Sequence, residues 1–125
     1  MRLFIFPFFT SLSILSASCT KEVRYSKEAL LKKAQAADAS VQLILPRTMN
    51  DGISCSAYTE GCLSGHTVRV KNLDLIAVEF MTEEQAKYAA KKIRGYYTGN
   101  WIFDDVTGEP VLEEFVSRVL DAKKP

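Results

Sequence analysis

The chain reads as a single small α+β domain, with an antiparallel or mixed sheet of about four strands carrying helices on one face, in the order α-β-β-β-α-β-α. Three observations predict this. Of 125 residues, about 107 follow the first eighteen, the usual size of one domain. Short runs rich in β-branched residues and leucine, at 41–46, 66–71 and 75–80, are flanked by stretches in which apolar residues recur every three or four positions. Turn formers lie between these segments rather than within them.

The N-terminal segment is set apart by composition. Met1-Arg2 gives a short positive start, Leu3 to Leu15 is apolar apart from Pro7 and a few hydroxyls, and the small residues Ser16-Ala17-Ser18 precede Cys19. This is the anatomy of an export signal covering residues 1–18. Its apolar run of about thirteen residues is shorter than the roughly 20 that cross a bilayer as a helix, and Lys21-Glu22 follows almost at once. Leu15-Ser16-Ala17-Ser18-Cys19 resembles the lipobox of bacterial lipoproteins. It departs from that pattern at Ser16, where the family prefers leucine. The resemblance implies that Cys19 is acylated and becomes the mature N-terminus. In a diderm bacterium, with Thr20 in place of aspartate, it implies an outer-membrane anchor facing the periplasm. Ser16 and Ser18 also satisfy the small-x-small rule of ordinary secretory cleavage, which leaves a soluble exported product as the alternative.

Residues 19–26 then read as the lipidated N-terminus and a short polar tether, and 27–125 as the domain. Ser26 is placed to cap a helix of strong helix formers ending near Asp38, with Leu30, Leu31 and Ala34 as its thin apolar stripe. Val41 to Leu45, stopped by Pro46, reads as a strand. About twenty residues of loop follow, with turn signals at Asn50-Asp51-Gly52, Gly61 and Gly65. The alternation of His66 to Lys71, a tight connection at Asn72, and the apolar Leu75 to Phe80 predict a hairpin whose second strand is central. Thr82 with Gln85 forms a capping box opening a helix, with Ala86, Ala89, Ala90 and Ile93 inward and Gly95 as terminator. The aromatic stretch Tyr96 to Val106 predicts one strand, surest at Trp101 to Phe103. Pro110 opens a last helix with Val111, Leu112, Phe115, Val116, Val119 and Leu120 on one face.

Ala77 to Gly95 resembles the third strand and second helix of the RNA-recognition motif. The positions that carry base-stacking aromatics in that family are Leu75 and Ala77 here, so the resemblance implies architecture without the binding platform. A ferredoxin-like topology is the expectation that follows, with the cysteine loop in place of its first crossover helix. Lys and Arg total 16 against 15 Asp and Glu, with both signs interspersed, which argues against nucleic acid as a partner.

Three cysteines is an odd number for an exported chain. Acylation of Cys19 removes the imbalance and leaves Cys55 and Cys62 to form a disulfide in an oxidising compartment. The alternative is a zinc or copper site using Cys55, Cys62 and His66, although paired zinc-binding cysteines favour closer spacing and a fourth ligand is not evident. Asp104 and Asp105, with Glu109 nearby, could serve acid–base chemistry. Adjacent strand side chains diverge, however, so a solvated strand end is the simpler reading. Tyr96, Tyr97 and Trp101 are the candidate partner surface for an envelope protein or glycan. In a single strand, Tyr97, Trp101 and Phe103 would share a face opposite Tyr96 and Ile102. The sequence carries no nucleophile–base, phosphate-loop or dinucleotide pattern and implies no cofactor. The expected role is therefore that of a non-catalytic, membrane-anchored envelope protein.

Overall fold

In the computed structural model, which describes residues 22–125, the local signals of the sequence act where they stand. The export segment, Cys19 and Lys21 lie outside the described residues. Ser26 caps α1 (Lys27–Ala37), its Oγ accepting the Ala29 N–H at 3.1 Å. β1 (Gln42–Ile44) is shorter than its apolar run. Two 3₁₀ turns, Met49–Asp51 and Cys55–Ala57, lead to β2 (Cys62–Val70) and β3 (Leu73–Phe80). Lys71 and Asn72 form a two-residue hairpin loop, with φ of 49° and 66°; this is the backbone twist that matches two right-twisted strands.

Thr82 caps α2 (Glu83–Ile93) through its Oγ1 and the Gln85 N–H, at 3.1 Å. The helix ends one residue earlier than the glycine signal suggests. Arg94 takes the left-handed position with φ 55°, while Gly95 donates to the Ala90 carbonyl. Gly95 meets a different need, because a Cβ there would come within 2.9 Å of the Phe103 carbonyl.

The aromatic stretch forms two strands instead of one. β4 (Tyr96–Thr98) and β5 (Trp101–Asp104) pair antiparallel about Gly99-Asn100, and Gly99 supplies the left-handed φ of 52°. The sheet therefore has five strands, in the order β1-β2-β3-β5-β4, where about four were expected. Every pairing is antiparallel. Since β3 and β4 both run opposite to β5, they are parallel to each other, with α2 joining them and β5 between. That is a split β-α-β unit, the part of a ferredoxin-like arrangement that the strand–helix pattern carried. β1 and β2 extend it on the other side of β3. Beyond β4, the Lys123 backbone exchanges two hydrogen bonds of 2.9 Å with Tyr97 and covers that sheet edge.

The helices expected on one face of the sheet are divided between two clusters. Leu75, Ala77, Tyr96, Trp101 and Phe103 pack with Leu30 and Ala34 of α1 and with Leu112, Phe115 and Val116 of α3 (Pro110–Arg118). Val78, Phe80, Tyr97 and Ile102 pack with Ala86, Ala89 and Ala90 of α2. Alternation along β3 and β5 accounts for the division, since successive residues face opposite sides. The sheet is thus covered on both faces. Leu75 and Ala77, the positions matching the RNA-stacking residues, lie beneath α1 and α3.

Candidate functional site

Cys55 and Cys62 are joined by a disulfide, with Cα atoms 5.5 Å apart. The bond ties the second 3₁₀ turn to the first residue of β2. Two further contacts hold the same loop: an antiparallel bridge between Ile53 and Gly65, and a hydrogen bond of 2.9 Å from the Tyr58 hydroxyl to Asp104 Oδ2. Burial, and secondarily the bond to the Asp104 carboxylate, push the Tyr58 phenol well above its ordinary pKa, so it stays protonated and donating. The long connection expected from the sequence is therefore ordered by one covalent and two non-covalent ties.

The disulfide removes the metal alternative as it was framed, because a bonded sulfur is not a thiolate ligand. His66 lies within β2. Its Nε2 is 3.1 Å from Ser64 Oγ, and its ring stands 6.1 Å from the Trp101 ring at a tilt of 38°. Desolvation, and secondarily the nearby Lys27 charge, lower its pKa. Among the described residues, no three His, Cys, Asp or Glu side chains are grouped to hold a metal ion.

The carboxylates near the end of β5 are engaged in local structure. Asp104 accepts from Tyr58 and, through Oδ1, from the Asp105 N–H at 2.9 Å. Asp105 has turned into the left-handed region, with φ 59°, and Glu109 precedes α3. The aromatic residues proposed as a partner surface are internal, with Tyr96 at 8%, Tyr97 at 5% and Trp101 at 1% exposure. Helices cover both faces of the sheet, which is the reason. The two-residue turn at Gly99-Asn100 decides the side: it reverses the alternation, so that Tyr96 joins Trp101 and Phe103 in one cluster while Tyr97 joins Ile102 in the other. The Tyr96 hydroxyl donates to Glu113 Oε2 at 2.6 Å.

The segment read as a free tether is docked from residue 22 onward. The Glu83 N–H donates to Glu22 Oε1 at 2.7 Å, and the Val23 N–H donates back to Glu83 Oε2 at 2.9 Å. Arg24 Nη1 donates to the Met81 carbonyl at 2.6 Å. The Tyr25 N–H donates to Asn100 Oδ1 at 2.7 Å, and the Trp101 indole N–H donates to the Tyr25 carbonyl at 2.8 Å. Asn100 is fully buried, and its Nδ2 donates to the Phe80 carbonyl at 3.3 Å. Residues 22–25 thus form a strap across one end of the sheet, from the N-terminus of α2 to the face covered by α1. Gly99 admits the strap, since a Cβ there would lie 2.8 Å from the Val23 carbonyl. Glu22 also places a carboxylate at the N-terminus of α2, the favourable sign for the helix dipole.

The strap residues and Asn100 carry no periodic signature, and sequence reasoning missed them. The one available signal was the Gly99-Asn100 pair, a hairpin-loop dipeptide.

Beneath α1 lies a crevice of about 40 Å³, almost wholly apolar, with Lys27 and His66 as its charged or titratable lining residues. Ligand sites of drug-sized molecules run to roughly 300 Å³ or more, so this volume is a packing gap on the core. The same end of the sheet as the strap exposes Val23, Leu63 and Met81, at 41%, 49% and 53%. Met81 donates its N–H to the Gly61 carbonyl at 2.8 Å, which brings the β2 and β3 ends together there.

No protein-family model, curated protein or solved structure matches the chain.

Proposed function

We propose that this chain is an exported, lipid-anchored envelope protein, acylated on Cys19 and facing the periplasm from the outer membrane. In this reading its folded part is non-catalytic and serves an envelope protein or glycan partner. One observation carries the reading. Cys55 and Cys62 are bonded to each other, which leaves Cys19 as the remaining cysteine of three, at the position where the lipobox resemblance puts the acylated residue. An intramolecular disulfide is a feature of oxidising compartments, and it agrees with the export anatomy of residues 1–18. Among the described residues no helix is long and apolar enough to cross a membrane, and attachment in this reading comes from the acyl chains. The sheet keeps one split β-α-β unit of the ferredoxin-like pattern, β3-α2-β4 about β5, with β2 and then β1 added at the other edge.

Metabolic labelling with palmitate, followed by fractionation of cells expressing the chain or its Cys19→Ala variant, tests the proposal. The expected result is label on the unaltered protein, recovered with membranes, and an unlabelled variant released to the soluble fraction. Absence of label from the unaltered protein, or label that persists in the variant, overturns it.

A further inference from the structure

Resting on acylation at Cys19, we propose that the strapped end of the sheet lies against the bilayer that carries the anchor, with Leu63 and Met81 entering a zwitterionic headgroup region. Three observations meet at this end. The first is the strap: residues 22–25 are held to Met81, Glu83, Asn100 and Trp101 by hydrogen bonds of 2.6 to 2.9 Å, so the domain begins within three residues of Cys19. Three residue steps reach at most about 11 Å even when fully extended. The docked end therefore stays within contact range of the headgroups. Leu73, where the Lys71–Asn72 turn enters β3, lies seven strand steps from Phe80, roughly 24 Å further out.

The second observation is apolar. Val23, Leu63 and Met81 are among the exposed large hydrophobic residues of the chain, and all three sit at this end, where the Met81 N–H bonds the Gly61 carbonyl. In water they are an uncompensated apolar exposure, whereas at a bilayer surface they meet the boundary between headgroup and acyl chain. The third is charge. Among the described residues, Glu22, Glu60, Glu83 and Glu84 belong to the segments that meet here, with Arg24 as the strap's cation; Lys21 adjoins Glu22 in sequence and leaves an acidic excess, a balance that anionic headgroups repel and zwitterionic ones accept. The hydrogen bonds set the orientation, and the apolar residues stabilise it.

The test uses the ¹⁵N-labelled chain from Cys19 onward with Cys55 and Cys62 oxidised. It is coupled through Cys19 to a maleimide lipid in phosphatidylcholine nanodiscs that contain a small fraction of gadolinium-chelate headgroups. Amide signal loss at Gly61, Leu63, Met81 and Glu83 is expected to exceed that at Lys71, Asn72 and Arg118 at least threefold. Ten Gly-Ser residues inserted between Lys21 and Glu22, together with Leu63→Ser and Met81→Ser, are expected to reduce the contrast to near unity. Equal loss at the two ends of the unaltered protein, greater loss at Lys71–Asn72, or a contrast unchanged by the combined insertion and substitutions overturns the proposal. The anchor is installed chemically, so this outcome is separate from palmitate labelling in cells, which judges acylation itself.

Discussion

Replacing Asn100 with alanine removes the side chain that joins the strap to the sheet. Asn100 Oδ1 accepts the Tyr25 N–H at 2.7 Å, and Nδ2 makes a longer bond of 3.3 Å to the Phe80 carbonyl. The first is a full hydrogen bond with a net value of about 1 kcal/mol; the second, at its length, contributes about half as much. The variant also leaves the Tyr25 N–H without its partner. Tyr25 is only half-buried and water can reach part of the gap, so this penalty falls at the low end of the range, about 1 kcal/mol. The sum is about 2 to 3 kcal/mol, which for a domain of this size lowers Tm by roughly 10 to 20 °C. Trp101 is the single tryptophan and its indole bonds the Tyr25 carbonyl, so its fluorescence during urea unfolding reports on the strap and the core together. Exchange of the Tyr25 amide should accelerate more than exchange in β3. A stability loss below about 0.5 kcal/mol, or a protected Tyr25 amide in the variant, would refute the reasoning, since an interaction of that size falls within ordinary surface effects.

Three further outcomes follow from the same contacts. Gly99→Ala puts a Cβ 2.8 Å from the Val23 carbonyl at a φ of 52°, so it should cost about 2 kcal/mol in urea titrations and release the strap to protease; an unchanged digestion pattern would contradict the close approach. Reducing the Cys55–Cys62 bond, which spans a sequence separation of 7, should lower stability by about 2 to 3 kcal/mol in the chain-entropy model, measured by paired urea curves with and without reductant. His66 has a pKa lowered from the ordinary 6.5, first by burial and then by Lys27. Below that value the unfolded chain binds the proton more readily than the folded one, so stability is undiminished above about pH 6.5 and falls as pH drops through the lowered folded pKa. His66→Gln should flatten this part of the stability profile, and an identical profile in the variant would exclude His66 as its source.

How much of this was legible in the sequence depends on the kind of interaction. Signals that act within a few residues were readable: the Ser26 and Thr82 caps, the hairpin at Asn72 and the inward Leu112, Phe115 and Val116 of α3 stand where the residue pattern places them, whereas Val111 of the same predicted face is exposed and Val119 and Leu120 follow the helix end. The Cys55–Cys62 bond agrees with the disulfide expected of an exported chain, the alternative to it being the metal reading with His66. The split of Tyr96–Val106 into two strands was not readable, because strand propensity is continuous across the stretch and only Gly99-Asn100 interrupts it. Reading one strand put Tyr96 on the face opposite Trp101, and the surface reading failed because helices cover both faces of the sheet. A helix's apolar stripe shows which side of the helix is buried. It does not show which face of the sheet receives it, so the division of α2 from α1 and α3 required the fold. The strap was hidden for a related reason. Its hydrogen bonds join residues 57 to 76 positions apart, and Glu22, Val23, Arg24 and Tyr25 look like any polar linker.

The anchored envelope protein proposed above requires a definite chemical state of the three cysteines: one acylated, two bonded. The measurement that tests it most directly is the intact mass of the native protein extracted from membranes under non-reducing conditions. The predicted mass is that of residues 19–125 carrying fatty-acyl groups at Cys19, less two hydrogens for the Cys55–Cys62 bond. A chain with an unmodified Cys19, or one cleaved at another residue, would contradict the anchored envelope protein proposed here.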